Sequence, residues 1–167
     1  MQIDICCIIE DTNGLRGEGI DLIKKIMVAL DNSKTADRVM AQAVDLARVY
    51  QAQLLAVSVI NYSLLSDIDN VADAPTPKLT EAIYAWTGTF QEVLDRCKDL
   101  ARDNRVEFFQ EMLSGNPAEE IIKYADANDV DLIIMGHIGR TAATGFLMGS
   151  VSQRVATHSK KSVMIIK

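Results

Sequence analysis

The sequence predicts an α/β fold with a single open, mainly parallel five-stranded sheet and helices on both of its faces. Short runs of apolar residues alternate along the chain with longer segments whose apolar residues recur at helical spacing. The runs are almost continuously apolar, which is typical of parallel strands covered on both faces. Apolar residues make up 49% of the 167-residue chain, enough for one core without disulfide bonds.

The first half of the chain supplies two strands and a helix. Residues 25–30 form the first predicted strand, and residues 54–60 form the second. Ser33 is the expected N-cap of the intervening helix because its hydroxyl can accept a hydrogen bond from an otherwise unpaired helix N–H. One stripe at helical spacing marks the buried face of that helix: Ala36, Val39, Met40, Ala43, Val44 and Ala47.

The second half begins with a long helix, predicted over residues 79–104. Cys97 lies on the apolar stripe of this helix, so burial explains the cysteine better than chemistry does. Three further apolar runs predict strands at residues 106–113, 131–135 and Ser162–Ile166.

Two shorter helices connect these strands. Asn116 and Pro117 mark the start of the first, since asparagine is a good N-cap and proline suits the first helical position. Glu119 can complete a capping box with Asn116. The second short helix is predicted over Ser150–His158.

Composition narrows the classes of function. With 17 basic and 23 acidic residues the net charge is -6, which disfavours nucleic acid as the main partner. No apolar run reaches the roughly 18 to 20 residues that a membrane-spanning helix needs, so no membrane insertion is expected. Cys6, Cys7 and Cys97 have neither metal-binding nor disulfide spacing, and a cytoplasmic location is predicted.

A glycine-bearing loop joins the fourth strand to the last helix. Gly136 and Gly139 follow the strand, and nine residues separate Gly139 from Gly149, after which Ser150 opens the helix. Glycines let the backbone approach an anion closely, and a helix start offers unpaired N–H groups. Arg140 adds positive charge. The spacing alone leaves two interpretations open, a phosphate-binding loop or a turn that binds nothing.

In this strand–loop–helix context the spacing G136-x2-G139-x9-G149-S150 resembles the nucleotide-binding motif of the universal stress protein family, in its ATP-binding branch. The flanking segments are similar to that family as well: KKIMVALDNS at 24–33, QLLAVSVI at 53–60 and DVDLIIMGHIGR at 129–140. The resemblance implies a universal stress protein domain at residues 23–167, with a Rossmann-like, adenine-nucleotide α-hydrolase-like fold. Residues 1–22 then form an N-terminal extension of unknown role.

The resemblance also implies a ligand, ATP, with Mg²⁺ or Mn²⁺ held mainly through the phosphates. Asp31 would bond the ribose or lie near the metal-bearing phosphates, and Val59 would bond the adenine through its backbone. The other implied nucleotide-binding positions are Ala29, Leu30, Met135, Gly136, Gly139, Arg140, Gly149, Ser150, Val151 and Ser152. No protein side chain is assigned as a metal ligand or as a catalytic residue.

Family members commonly dimerise through the C-terminal strand, here Ser162–Ile166. Dimerisation is also expected on physical grounds, because this strand would otherwise leave an apolar edge of the sheet exposed. The strand usually follows a proline in the family, and Ser162 takes that place here.

Three hypotheses for function follow. The first is a nucleotide-dependent regulator of stress response. The second is a slow ATPase or autokinase, with His137 beside the loop and Ser150, Ser152 or Thr144 as phosphate acceptors. The third is a dimeric interaction module that binds no nucleotide.

Overall fold

The computed structural model describes residues 23–61, 77–139 and 148–167. The extension at 1–22, Arg140 and Thr144 lie outside the described residues. Within these ranges the strands are β1 (Lys25–Ala29), β2 (Gln53–Ile60), β3 (Phe108–Ser114), β4 (Leu132–Gly136) and β5 (Ser162–Ile166). The helices are α1 (Ala36–Tyr50), α2 (Pro77–Asp103), α3 (Pro117–Ala127) and α4 (Ser150–His158).

The five strands form one open, all-parallel sheet in the order β3-β2-β1-β4-β5. This confirms the predicted α/β architecture. The chain builds outward from β1 to β3 on one side and then crosses to the other side for β4 and β5. The strand order therefore reverses between β1 and β4, at the centre of the sheet.

Helices cover both faces of the sheet, as predicted. One core lies under α1 and α2, where residues such as Val39, Met40 and Leu94 pack on Ile26 and Ile134. The other lies under α3 and α4. Its buried residues include Met27, Leu55, Val57, Ala118, Ile121, Ile133, Val155 and Ile165. Among the described residues no helix is long and apolar enough to cross a membrane.

The beginning of α1 differs from the prediction. The N-cap is Thr35, not Ser33, and no side-chain hydrogen bond caps the helix. Ser33 instead donates its N–H to Asp31 Oδ1 at 3.2 Å. Its carbonyl oxygen accepts the N–H of Ala36 at 3.2 Å. The prediction was wrong because this turn places Ser33 before the helix. The buried stripe of α1 is the predicted one.

The beginning of α3 follows the prediction at Asn116 and Pro117, but Glu119 does not complete the predicted capping box. Asn116 Oδ1 accepts the N–H of Ala118 at 3.2 Å and that of Glu119 at 3.5 Å, and Pro117 is the first helical residue. The side chain of Glu119 is directed to α4, where its Oε1 lies 3.9 Å from Arg154 Nη1. The cap is therefore confirmed at Asn116, and Glu119 makes an exposed contact between the two helices.

Candidate functional site

The candidate site lies at the carboxyl ends of β1 and β4, where the strand order reverses. In open α/β sheets, ligands bind in the crevice outside these ends because the connecting loops diverge there. Ala29 and Met135 are paired in register on the two strands. The residues that follow them therefore form the opposing walls of the crevice.

The first wall is the loop from β1 to α1. Asp31 makes a turn in which its Oδ1 accepts the N–H of Ser33 at 3.2 Å. The hydroxyl oxygens of Ser33 and Thr35 lie 3.1 Å apart. The turn holds a partly buried carboxylate and two hydroxyl groups at the end of the central strand. Threonine is also a common N-cap, but Ser33 offers the same hydroxyl group two residues earlier, so the sequence predicted Ser33 as the cap rather than Thr35.

The second wall is the segment that follows β4. The N–H of Gly149 donates to the carbonyl oxygen of His137 at 2.6 Å, which holds the residue before α4 against the residue after β4. Ser152 donates its hydroxyl hydrogen to the carbonyl oxygen of Gly136 at 2.8 Å. These two bonds fix the start of α4 against the end of β4.

The three glycines of the motif lie where side chains have little room. A Cβ on Gly136 would lie 3.1 Å from Thr35 Oγ1, and one on Gly139 would lie 3.1 Å from Asp31 Oδ2. A Cβ on Gly149 would lie 3.3 Å from the carbonyl oxygen of His137. The glycines of the predicted motif therefore let the two walls approach each other closely, because a β-carbon at any of these positions would crowd the neighbouring atoms.

The start of α4 lies against the end of β4. Gly149 is the N-cap with no side-chain hydrogen bond, and its carbonyl oxygen accepts the N–H of Gln153 at 2.9 Å. The N–H groups of the first helical turn, from Ser150 to Ser152, have no intrahelical acceptor in an α-helix and carry the positive end of its dipole. Ser150 is exposed, whereas Ser152 is buried.

Val59 lies at the carboxyl end of β2, beyond the end of β1. Gln53 donates its N–H to Lys24, on the β1 side, at 2.8 Å, whereas Leu54 donates toward β3. Successive residues of a strand address opposite neighbours, so Val59 directs its N–H and C=O to the β1 side. Because β1 ends at Ala29, the described residues place no hydrogen-bond partner on either group.

His137 lies at the edge of the loop and contacts β5. Its N–H donates to the carbonyl oxygen of Ile166 at 2.8 Å, and its ring Nδ1 lies 3.2 Å from the same oxygen. The half-buried imidazole therefore ties the end of β4 to the end of β5. These contacts give His137 a structural role at the ends of β4 and β5.

The raised pKa values in the described chain belong to groups on α2 and α3. Burial raises the pKa of the Cys97 thiol to about 12, and this side chain is fully buried. Burial, and then the charge of Glu111, raise the pKa of Tyr124. In the ranges that the structure covers, no three His, Cys, Asp or Glu side chains cluster in a way that could hold a metal ion.

Known proteins share this sequence and this fold. The family model described as "Universal stress protein family" matches residues 22–167. The chain is 30% identical to a universal stress protein of Methanocaldococcus jannaschii over 155 residues, which is 93% of this chain and 88% of that protein.

Solved structures of universal stress proteins share the fold of this chain. The universal stress protein UspA from Lactobacillus plantarum has a TM-score of 0.73 and 26% identity, covering 87% of this chain and 98% of that chain. A universal stress protein from Archaeoglobus fulgidus in complex with dAMP shares the fold, with a TM-score of 0.61 and 24% identity over 87% of this chain and 99% of that chain. The family match and the M. jannaschii relative are decisive, and the chain belongs to the universal stress protein family.

Proposed function

We propose that this chain binds ATP in the crevice between β1 and β4 and acts as a nucleotide-dependent regulatory domain in stress response. One observation carries the proposal: Asp31, the three glycines and the start of α4 converge at the strand-order reversal, with the Val59 backbone on the neighbouring strand. Each element suits a different part of one nucleotide.

The glycine loop and α4 suit the phosphates. Because Gly139 and Gly149 carry no β-carbon, an anion can approach their backbone closely. The first turn of α4 supplies N–H donors and a positive dipole end. The exposed hydroxyl of Ser150 adds a donor. The hydroxyl group of Ser152 already donates a hydrogen bond to the carbonyl oxygen of Gly136. We therefore expect Val151 and Ser152 to bind phosphate through their backbone N–H groups.

The end of β2 suits the base. Val59 presents one N–H donor and one C=O acceptor side by side on the β1 side of the strand. The edge of adenine offers the complementary pair, an amino donor beside a ring-nitrogen acceptor. We therefore assign the base to Val59 and the sugar to the region of Asp31, over the backbone of Ala29, Leu30 and Met135.

A divalent cation fits the same arrangement. When bound, Mg²⁺ or Mn²⁺ would neutralise charge on the phosphates, which supply oxygen ligands that these hard cations prefer. The carboxylate of Asp31 lies beside Gly139 and is the group of this chain that we expect to face the ion. Arg140, outside the described residues, remains a predicted phosphate contact from the sequence.

The relatives support an adenine nucleotide. The A. fulgidus neighbour was solved with dAMP, so the shared fold can hold an adenine nucleotide. The family supports the stress-response role. The choice of ATP among adenine nucleotides, and the cytoplasmic location, are proposals that rest on the sequence.

Calorimetric titration of nucleotide-free protein with Mg-ATP tests the proposal, with AMP and GTP as competitors. We expect micromolar or tighter ATP binding that Gly139→Val abolishes, since the added side chain collides with Asp31. Gly88→Ala is the matched control, because no atom lies within 4 Å of a Cβ at that helical glycine. If the folded wild-type protein binds no nucleotide, the motif is turn structure and the interaction-module hypothesis replaces this one.

A separate experiment tests the hypothesis that the protein is an enzyme. Incubation with Mg-ATP followed by mass spectrometry of the protein and of the nucleotide distinguishes a regulator from a slow ATPase or autokinase. A regulator returns intact ATP and unmodified protein. Formation of ADP, or a phosphate on Ser150 or Thr144, would favour the enzyme.

We also propose a homodimer through β5 (Ser162–Ile166), an edge strand of the described sheet. His137, the residue after β4, donates its N–H to the carbonyl oxygen of Ile166. Because successive residues of a strand face opposite neighbours, the backbone groups of Val163 and Ile165 point outward. Ile165→Pro removes an outward N–H and should give a monomer in sedimentation equilibrium. Ile165→Ala, which loses packing but keeps the N–H, should stay dimeric. A monomeric wild-type protein would contradict this proposal.

A further inference from the structure

Ser58 is an exception in its strand. In β2 the residues from Leu54 to Val57 are apolar and buried, and Ser58 is just as buried, with 1% of its surface exposed. A buried hydroxyl destabilises a core unless it is hydrogen-bonded. Ser58 donates its hydroxyl hydrogen to the carbonyl oxygen of Leu30 at 2.9 Å, so its polar group is satisfied by the residue that follows β1.

This bond takes the place of the next rung of the ladder. The N–H of Leu30 donates to the carbonyl oxygen of Val57 at 2.9 Å, which is the last backbone bond between the two segments. In a regular parallel ladder the carbonyl oxygen of Leu30 would then accept the N–H of Val59. In the structure that oxygen accepts the Ser58 hydroxyl instead, and the β1–β2 ladder stops one rung earlier.

We propose that Ser58 is a positioning residue of the nucleotide site. Its hydroxyl caps the carbonyl oxygen of Leu30 and thereby leaves the N–H and C=O of Val59 available to the base. This inference rests on the proposed function, because a base at Val59 is part of that proposal. Ser58 itself does not touch the ligand; it acts through Leu30 and Val59.

Ser58→Ala removes the cap. The buried Leu30 oxygen then has one donor in register, the N–H of Val59, and pairing with it would extend the ladder and occupy the group that the base needs. We expect affinity for ATP, AMP and adenosine to fall equally, by about tenfold, since one base contact is lost from each. Binding of inorganic tripolyphosphate, which has no base, should not change.

Two variants separate this effect from packing and from stability. Ser58→Cys fills the position with a slightly larger atom and donates hydrogen bonds only weakly, so it should behave like Ser58→Ala. Ser114→Ala makes the same change on the exposed last residue of β3 and should bind as the wild type does. Nucleotide affinity lowered in Ser58→Ala but normal in Ser58→Cys would show a packing effect and overturn the proposal.

Amide hydrogen exchange of Val59, followed by NMR in the ligand-free protein, tests the cap independently of binding. We expect exchange in the wild type to be at least about tenfold faster than in Ser58→Ala, where the amide pairs with Leu30. Equal exchange in the two folded proteins would overturn the inference. A wild type that binds no nucleotide but shows this difference would refute the proposed function and leave the cap on Leu30 established.

Discussion

The carboxylate of Asp31 lies directly against Gly139: a Cβ built on this glycine would lie 3.1 Å from Asp31 Oδ2. Asp31 follows β1 and Gly139 follows β4, so the segments after these two strands approach each other here. Because the neighbour is the end of a flexible side chain, Asp31 can move away from a small substituent, at the cost of its own position in the site.

Gly139→Ala and Gly149→Ala should therefore differ in stability. Gly139→Ala is expected to change the unfolding free energy by less than about 1 kcal/mol, while weakening nucleotide binding by displacing Asp31. A Cβ on buried Gly149 meets backbone atoms, His137 O at 3.3 Å and Gly139 N at 3.4 Å, which cannot rotate away. Gly149→Ala should cost about 1–3 kcal/mol in urea unfolding. Equal losses in the two variants would contradict this account.

The features predicted correctly from the sequence are those with a local cause. The buried stripe of α1 follows from periodicity, and Asn116 caps α3 because its side chain reaches N–H groups only two and three residues ahead. Such patterns depend on residues within one or two turns, so they can be recognised without knowing the fold.

One missed feature is local: Ser33 is a residue type that commonly caps helices, but the turn that it forms with Asp31 leaves Thr35 as the N-cap of α1. The other missed features depend on contacts between distant segments. Ser58 reads as one polar residue in an apolar strand, and its bond to Leu30 exists only after β1 and β2 pair. The position of Asp31 against Gly139 likewise requires the central strand to lie beside β4.

Ser152 should be a structural serine and Ser150 an exposed one. Ser152→Ala removes the 2.8 Å bond to the carbonyl oxygen of Gly136 and leaves that oxygen without its buried donor. We expect a loss of about 1–3 kcal/mol in unfolding free energy, against less than about 0.5 kcal/mol for Ser150→Ala. Mass spectrometry after incubation of native protein with Mg-ATP should find no phosphate on Ser152. Similar stability of the two variants would show that the Gly136 bond contributes little.

Gly88→Ala should stabilise the protein. Gly88 lies inside α2, and no atom lies within 4 Å of the position of its missing Cβ. Alanine there gains about 0.5–1 kcal/mol because glycine in a helix interior loses more conformational entropy. ATP affinity should not change.

Gly115→Ala is the matched contrast, with the opposite sign expected. Gly115 has φ +136, and a Cβ there would lie 3.0 Å from Glu120 Cγ. Urea denaturation of both variants gives the comparison. A destabilised Gly88→Ala would mean that α2 gains nothing from helix propensity at this position.

Cys97 should make stability fall at alkaline pH. Burial raises the pKa of its thiol from 9.0 to about 12, so between these values the unfolded chain releases a proton that the folded chain retains. The contribution of Cys97 to the free energy of unfolding is fully present below pH 9 and is lost as pH rises, by about 1.4 kcal/mol per pH unit.

Urea unfolding of the wild type and of Cys97→Ala, under reducing conditions at several pH values, measures the contribution of Cys97 alone. The stability difference between the two proteins should be constant below about pH 8 and should shrink steadily above pH 9. A difference that is independent of pH would show that the thiol ionises as readily in the folded protein as in the unfolded chain.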